Sequence, residues 1–147
     1  MADRRQGVAV VPPNWVVPRR LATSPRPGFS PGPDLAVPRE AVDLTLATWR
    51  EFGIASILCL LGDDQLPLYR ALPGGLLAYY RDAGFDVAHL PALDGLQEPY
   101  APAEFERAWL LFQEAPGPLL VHCSAGMDRT GRVVRHLLAR LAGLGDH

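Results

Sequence analysis

The sequence predicts a single α/β domain, a mostly parallel central sheet flanked by helices, with a tight loop between the last strand and the C-terminal helix. Three observations predict it. Short apolar runs at residues 55–61, 85–90 and 118–121 alternate with longer stretches at 39–52, 103–114 and 132–144, whose apolar residues recur at helical spacing. The chain has 147 residues, 48% of them hydrophobic, which is enough for one core. No internal repeat interrupts the alternation. Strands separated by helices pair in parallel, and such sheets bind ligands beyond the carboxyl ends of their strands.

In chain order, residues 1–13 read as a flexible N-terminal tail and residues 14–147 as the folded domain. Trp15-Val16-Val17 suits a short first strand. Residues 24–38 carry Pro25, Pro27, Pro31, Pro33 and Pro38 with Gly28 and Gly32, which excludes a helix or central strand. The segment is either a functional long loop or a plain linker. Residues 39–52 form a helix with Val42, Leu46 and Trp49 on one face and Gly53 suited to its C-terminal stop. Residues 55–61 are a buried strand ended by Gly62-Asp63-Asp64. A short helical piece spans 66–72, broken by Pro73-Gly74-Gly75, and a second helix spans 76–82, stopped near Gly84. Residues 85–90 are a strand with partial alternation, and 91–102 are a loop. The helix at 103–114 places Phe105, Ala108, Trp109 and Phe112 on one face. Pro116-Gly117-Pro118 turns the chain into the strand before Cys123. The last helix turns Val133, Val134, Leu137, Leu138 and Leu141 inward and Arg132, Arg135, His136 and Arg140 outward.

Composition excludes several functions. A net charge of −2 implies no broad attraction to nucleic acid. No apolar stretch is long enough to span a bilayer, and the N-terminus lacks the apolar region of a secretory signal. Two cysteines make no disulfide framework, and His89, His122, His136 and His147 show no zinc spacing with them, so no metal or cofactor is expected. The ATP-binding loop motif is absent. All 14 basic residues are arginine, which points to a GC-rich, bacterial coding sequence.

The run Val121-His122-Cys123-Ser124-Ala125-Gly126-Met127-Asp128-Arg129-Thr130-Gly131 carries the chemistry. A His-Cys-x-x-Gly-x-x-Arg-Thr spacing arises by chance in about one chain in 10⁵ of this composition and length. Set between a strand and a helix, such a loop aims backbone N–H groups and a helix N-terminus at one point, an anion site. Cys123 would lie beneath the anion as a nucleophile, and Arg129 would grip two phosphate oxygens in a bidentate fork. Ser124, Ala125, Gly126, Met127 and Asp128 complete the cradle. Helix N-termini and nearby cations favour a thiolate, so one loop would serve both nucleophile and substrate. A reactive thiol also needs a reducing compartment, so the cytoplasm is expected.

The run resembles the signature loop of the cysteine-dependent protein-tyrosine and dual-specificity phosphatases, of the small microbial or atypical type. Residues 15–28, 51–61 and 79–85 resemble the flanks of that family in order and spacing. The resemblance implies hydrolysis of phosphate monoesters through a phosphocysteine, with protein phosphotyrosine as the first substrate class and phosphoserine or phosphothreonine as further ones. A phosphoinositide, inositol phosphate or other non-protein phosphoester is the alternative, as is a phosphate-binding module without turnover. It implies that Asp94, on the Gly/Pro loop at 89–99, is the general acid and later the base, with Glu98 and Asp128 as alternates. Thr130 would donate its hydroxyl to the departing sulfur, and His122 would brace the loop from behind.

Three departures stand out. Asp128 occupies a position where the family commonly has Gly, and an N-cap role would explain it. Met127 stands where several phosphoinositide-acting relatives place a Lys, which weakens the lipid reading. The chain ends at His147, sooner after its cysteine than relatives do. A compact domain or a second copy covering that face is the expectation. The resemblance also makes Cys59, on a neighbouring strand, a candidate redox partner for Cys123, against the plainer reading of a core thiol.

Overall fold

The computed structural model describes residues 10–93 and 95–145. Ten elements follow in order: β1 (Asn14–Val17), β2 (Leu21–Ser24), α1 (Arg39–Glu51), β3 (Ser56–Leu61), a 3₁₀ turn (Leu66–Tyr69), α2 (Leu76–Asp82), β4 (Asp86–Ala92), α3 (Pro102–Glu114), β5 (Leu119–His122) and α4 (Asp128–Gly145). The five strands form one sheet in the order β1-β2-β5-β3-β4. β1 and β2 are an antiparallel hairpin, and β2, β5, β3 and β4 run parallel. The mostly parallel α/β architecture is therefore the one the sequence predicts. The expected N-terminal tail lies outside the described residues up to position 9.

Side chains of the buried strands alternate between two cores, as the pleat requires. Ile57, Cys59 and Leu61 of β3 and Leu120 of β5 pack under α1 and α2 with Val42, Leu46, Trp49 and Tyr80. Leu58 and Leu60 of β3 and Leu119 and Val121 of β5 pack under α3 and α4 with Trp109, Phe112, Val133 and Leu137. The three inner residues expected of α1 are buried, and Ala41 and Thr45 are buried beside them. α3 starts at Pro102, where the missing N–H costs nothing, and Glu104 Oε1 accepts from the Ala101 N–H at 2.8 Å.

Four details correct the sequence reading. β2 was not expected; its four residues are fenced by Pro18, Arg19, Arg20 and Pro25 and show no run of their own, yet Leu21 and Ala22 are fully buried against β5. The Pro-rich loop therefore begins after Ser24. β4 continues through Pro91 to Ala92 instead of ending at Leu90. Cys59 pairs with His89 but Leu61 with Ala92, so β4 carries one extra residue there, and such a bulge accommodates a proline that has no N–H to give. α4 begins at Asp128, four residues before the expected start, so Asp128, Arg129 and Thr130 belong to its first turn. Leu138, expected inward, is 38% exposed, because the apolar stripe of α4 follows Val133, Val134, Leu137 and Leu141.

Candidate active site

The carboxyl ends of β2, β3, β4 and β5 lie side by side, and the loops that leave them converge on one place. β5 supplies the central one. Its last residue, His122, is fully buried among Trp49 and Tyr80, with ring centroids at 5.7 and 5.8 Å. His122 Nδ1 lies 3.0 Å from the Cys123 carbonyl oxygen, and Nε2 lies 2.8 Å from the Tyr80 hydroxyl. A carbonyl only accepts, so Nδ1 carries the proton and Nε2 accepts from Tyr80. Burial, seconded by the charges of Arg129 and Arg26, pushes the pKa of His122 down to about 4 and keeps the ring neutral.

Cys123 follows, 2% exposed, and the chain turns through Ser124, Ala125, Gly126 and Met127 into α4. The Met127 carbonyl accepts the Gly131 N–H at 2.7 Å, so the N–H groups of the preceding residues have no acceptor within the helix. Together with the positive end of the helix dipole they make the loop's concave side suited to an anion. Gly126 has a φ of +81°, and a Cβ there would lie 2.8 Å from the Ser24 carbonyl oxygen. The turn is therefore pressed against the end of β2. Ser124 is tied to the same segment, its carbonyl accepting the Arg26 N–H at 2.8 Å.

Arg129, on the first turn of α4, points inward and is 2% exposed. Its NH1 donates to the Ala92 carbonyl at 2.7 Å and, at 3.4 Å, to Leu60; NH2 donates to Gln65 Oε1 at 2.8 Å. The bulge in β4 thus has a local purpose: it ends the strand with the Ala92 carbonyl turned to the guanidinium. Thr130 is 1% exposed, and its hydroxyl has no hydrogen-bond partner among the described residues. Asp128 is exposed at the start of α4, where a carboxylate complements the helix dipole. Met127 is 71% exposed at the rim. Glu98 is exposed in the segment after β4, whereas Asp94 lies outside the described residues. No group of three or more metal-ligating side chains occurs among the described residues. None of their helices is long and apolar enough to cross a membrane.

A profile described as "Tyrosine phosphatase family" matches residues 87–147, the stretch holding β4, α3, the Cys123 loop and α4. Over that C-terminal stretch the chain is similar to the tyrosine phosphatase family. Two solved proteins share its fold. Tk-PTP, crystallised in a glycine-to-alanine mutant form, matches with a TM-score of 0.65 and 20% identity over 90% of this chain and 73% of its own. The core catalytic domain of the PP-IP phosphatase SIW14 from S. cerevisiae, in complex with citrate, matches with a TM-score of 0.54 and 18% identity over 86% of this chain and 65% of its own. A second structure of the Siw14 catalytic core gives 19% identity, with 66% of its length covered. The chain thus spans about two thirds of the Siw14 cores, and identities this low speak for the fold alone. No curated protein matches the sequence.

The two cysteines that the sequence offered as redox candidates belong to different cores. Cys59 packs under α1 and α2, Cys123 on the side of α3 and α4, and both are free thiols. Burial pushes the Cys59 pKa up to about 12. Three side chains beside the loop escaped the sequence reading: Arg26, Asp34 and Gln65. Arg26 and Asp34 sit in the Pro-rich loop, already marked by its length, but nothing in one sequence tells a buried arginine from a surface one. Gln65 is 1% exposed although it follows two exposed aspartates.

Proposed function

We propose that this chain hydrolyses protein phosphotyrosine through a phosphocysteine on Cys123. The observation that carries the reading is the loop between β5 and α4, which opens on a buried Cys123 and closes on a buried, inward-held Arg129. The Cys123 sulfur attacks phosphorus and the bond to the tyrosyl oxygen breaks. The leaving oxygen takes a proton from Asp94, with Glu98 or Asp128 as the alternative donors. Arg129 and the loop N–H groups balance charge on the equatorial oxygens, where preorganised donors act most strongly. Asp94 then takes a proton from water as it attacks phosphorus, and the P–S bond breaks. The unpartnered hydroxyl of Thr130 suits a donor to the departing thiolate.

The rim favours an aryl phosphate over a polyphosphate. Met127 is 71% exposed on the loop, and Leu93, which follows the Ala92 carbonyl held by Arg129, is 50% exposed. Apolar groups there suit a phenyl ring and offer nothing to the extra phosphates of an inositol pyrophosphate, the substrate class in the SIW14 name. Phosphoserine and phosphothreonine, being shorter, should be turned over more slowly.

The test is hydrolysis of p-nitrophenyl phosphate with EDTA present, by the native protein, Cys123→Ser and Asp94→Asn. Cys123→Ser should be inactive, and full activity there would end the mechanism. Asp94→Asn should lose about 10²- to 10⁴-fold, the usual share of general acid catalysis. Near-native turnover would move the acid to Glu98 or Asp128. Faster turnover of an inositol pyrophosphate than of a phosphotyrosine peptide would overturn the substrate assignment.

A further inference from the structure

The catalytic loop is gripped from outside by a chain of polar side chains that the sequence motif does not contain. Arg26 is 3% exposed and lies in the loop after β2. Its backbone N–H donates to the Ser124 carbonyl at 2.8 Å, and its Nε donates to Ser124 Oγ at 3.1 Å. Its NH1 donates to the Tyr69 hydroxyl at 3.2 Å, and that hydroxyl donates to the Pro27 carbonyl at 2.7 Å. Its NH2 reaches Asp34 Oδ1 at 3.3 Å, an ion pair formed within the Pro-rich loop. The other oxygen, Asp34 Oδ2, accepts from Gln65 Nε2 at 3.1 Å. Gln65 Oε1 then accepts from Arg129 NH2 at 2.8 Å. The circuit runs from Ser124, one residue after the nucleophile, to Arg129, the far end of the same loop.

The order of donors and acceptors matters. An amide can present either its oxygen or its NH₂ to a neighbour, and only the oxygen holds a guanidinium. A carboxylate accepts and never donates, so Asp34 fixes the Gln65 NH₂ on its own side and turns Oε1 to Arg129. Arg26 in turn holds Asp34 in place and pins Ser124. Bonds with a charged partner are the stronger ones, and all four side-chain links from Ser124 to Arg129 have one.

We propose that Gln65, Asp34 and Arg26 are positioning residues, which together set the plane of the Arg129 guanidinium and the path of the loop at Ser124 for phosphate binding. The Pro-rich segment 24–38 is then no linker: its prolines stiffen a loop whose task is to carry Arg26 and Asp34 to the cradle. This inference rests on the phosphate-binding part of the function proposed above.

The test reads phosphate affinity and turnover separately. Inorganic phosphate is titrated calorimetrically into Cys123→Ser, where no turnover is needed, with and without Gln65→Met, a change that keeps length and removes the amide. Gln65→Met should weaken phosphate binding about 10- to 100-fold, the usual effect of losing a hydrogen bond to a charged group. In Arg129→Ala the same change should have no further effect, because its influence passes through Arg129. Equal losses in both backgrounds, or none in the first, would overturn the assignment. Asp34 is at the surface, so Asp34→Ala serves should Gln65→Met fail to fold. It should lower phosphate affinity several-fold with Arg129 present and leave it unchanged in Arg129→Ala; no loss with Arg129 present, or the same loss without it, defeats the proposal. Turnover surviving in Cys123→Ser would overturn the chemical mechanism instead, while the phosphate titrations still judge the bracket.

Discussion

Gly126→Ala should cripple the enzyme through backbone geometry alone. Gly126 has a φ of +81°, in the left-handed region that costs an L-residue about 1–2 kcal/mol. The new Cβ would also stand 2.8 Å from the Ser24 carbonyl oxygen, 2.9 Å from its carbon and 3.0 Å from the Pro25 nitrogen. These atoms are backbone at the end of β2, so no side chain can swing away. Forcing a methyl group into such packing costs about 1–3 kcal/mol more. The loss of unfolded-chain entropy returns about 0.4–1 kcal/mol, which leaves a net destabilisation of about 1–5 kcal/mol. For a chain of this size that lowers Tm by roughly 2–20 °C. Relief requires the loop to lift from β2, and a displacement of about 1 Å near reacting groups costs about 10²-fold in rate. The assays are calorimetric melting and p-nitrophenyl phosphate hydrolysis at a temperature where both proteins are folded. A variant with native Tm and native kcat/KM would refute the argument that contact with β2 shapes the loop.

Three further outcomes follow from the buried groups. Tyr80→Phe removes the donor to His122 Nε2 and leaves that nitrogen buried without a partner, so urea unfolding should show a loss of about 1–3 kcal/mol. His122 is held at about 4 when folded, below its ordinary value near 6.5, so the unfolded chain takes up the proton first. The stability it contributes is full above pH 6.5 and drains away as pH falls toward 4, about 3 kcal/mol in all, and urea midpoints of His122→Asn should be correspondingly flatter across that window. Cys59 should behave as a core thiol: after peroxide treatment, non-reducing peptide mapping should recover it unmodified, and a Cys59–Cys123 peptide would contradict its burial on the opposite side of the sheet.

The two halves of the site differed in how far they could be read from the sequence. The loop between β5 and α4 was legible because its residues are local: Cys123, the Gly126 turn and Arg129 fall within seven consecutive residues between a strand and a helix. The parallel sheet was legible because β3 and β5 are apolar runs and α1 and α3 have clear helical stripes. β2 was not, since its burial comes entirely from pairing with β5, which four residues cannot announce. The start of α4 was misjudged for a related reason. Its first turn, Asp128-Arg129-Thr130, is polar in sequence, but Arg129 and Thr130 face inward toward a polar site, and an apolar stripe cannot register that. Gln65 and Arg26 escaped notice because their neighbours are charged or proline-rich, so their burial is decided by loops that meet only in the folded chain.

The alternation of β5 explains why adjacent residues serve different ends. His122 falls on the α1/α2 side, where Trp49 and Tyr80 enclose it and burial holds it neutral. Its proton is then committed to the Cys123 carbonyl, so the ring anchors the backbone at Cys123. Cys123 falls on the other side, at the mouth between the strand ends and α4, where the helix N-terminus and Arg129 gather. Cys59, on the next strand, shares the side of His122 and is closed in by the same core, which pushes its thiol up to about 12. Two cysteines of similar burial therefore have different surroundings, because the pleat of the sheet aims one at the α1/α2 core and the other at the mouth of the loop before α4. Sliding β5 by one residue against β2 and β3 would exchange these environments, burying Cys123 under α1 and turning His122 to the other core. The clamp of Arg26 on Ser124 opposes that slip, since it fixes the end of β2 against the end of β5.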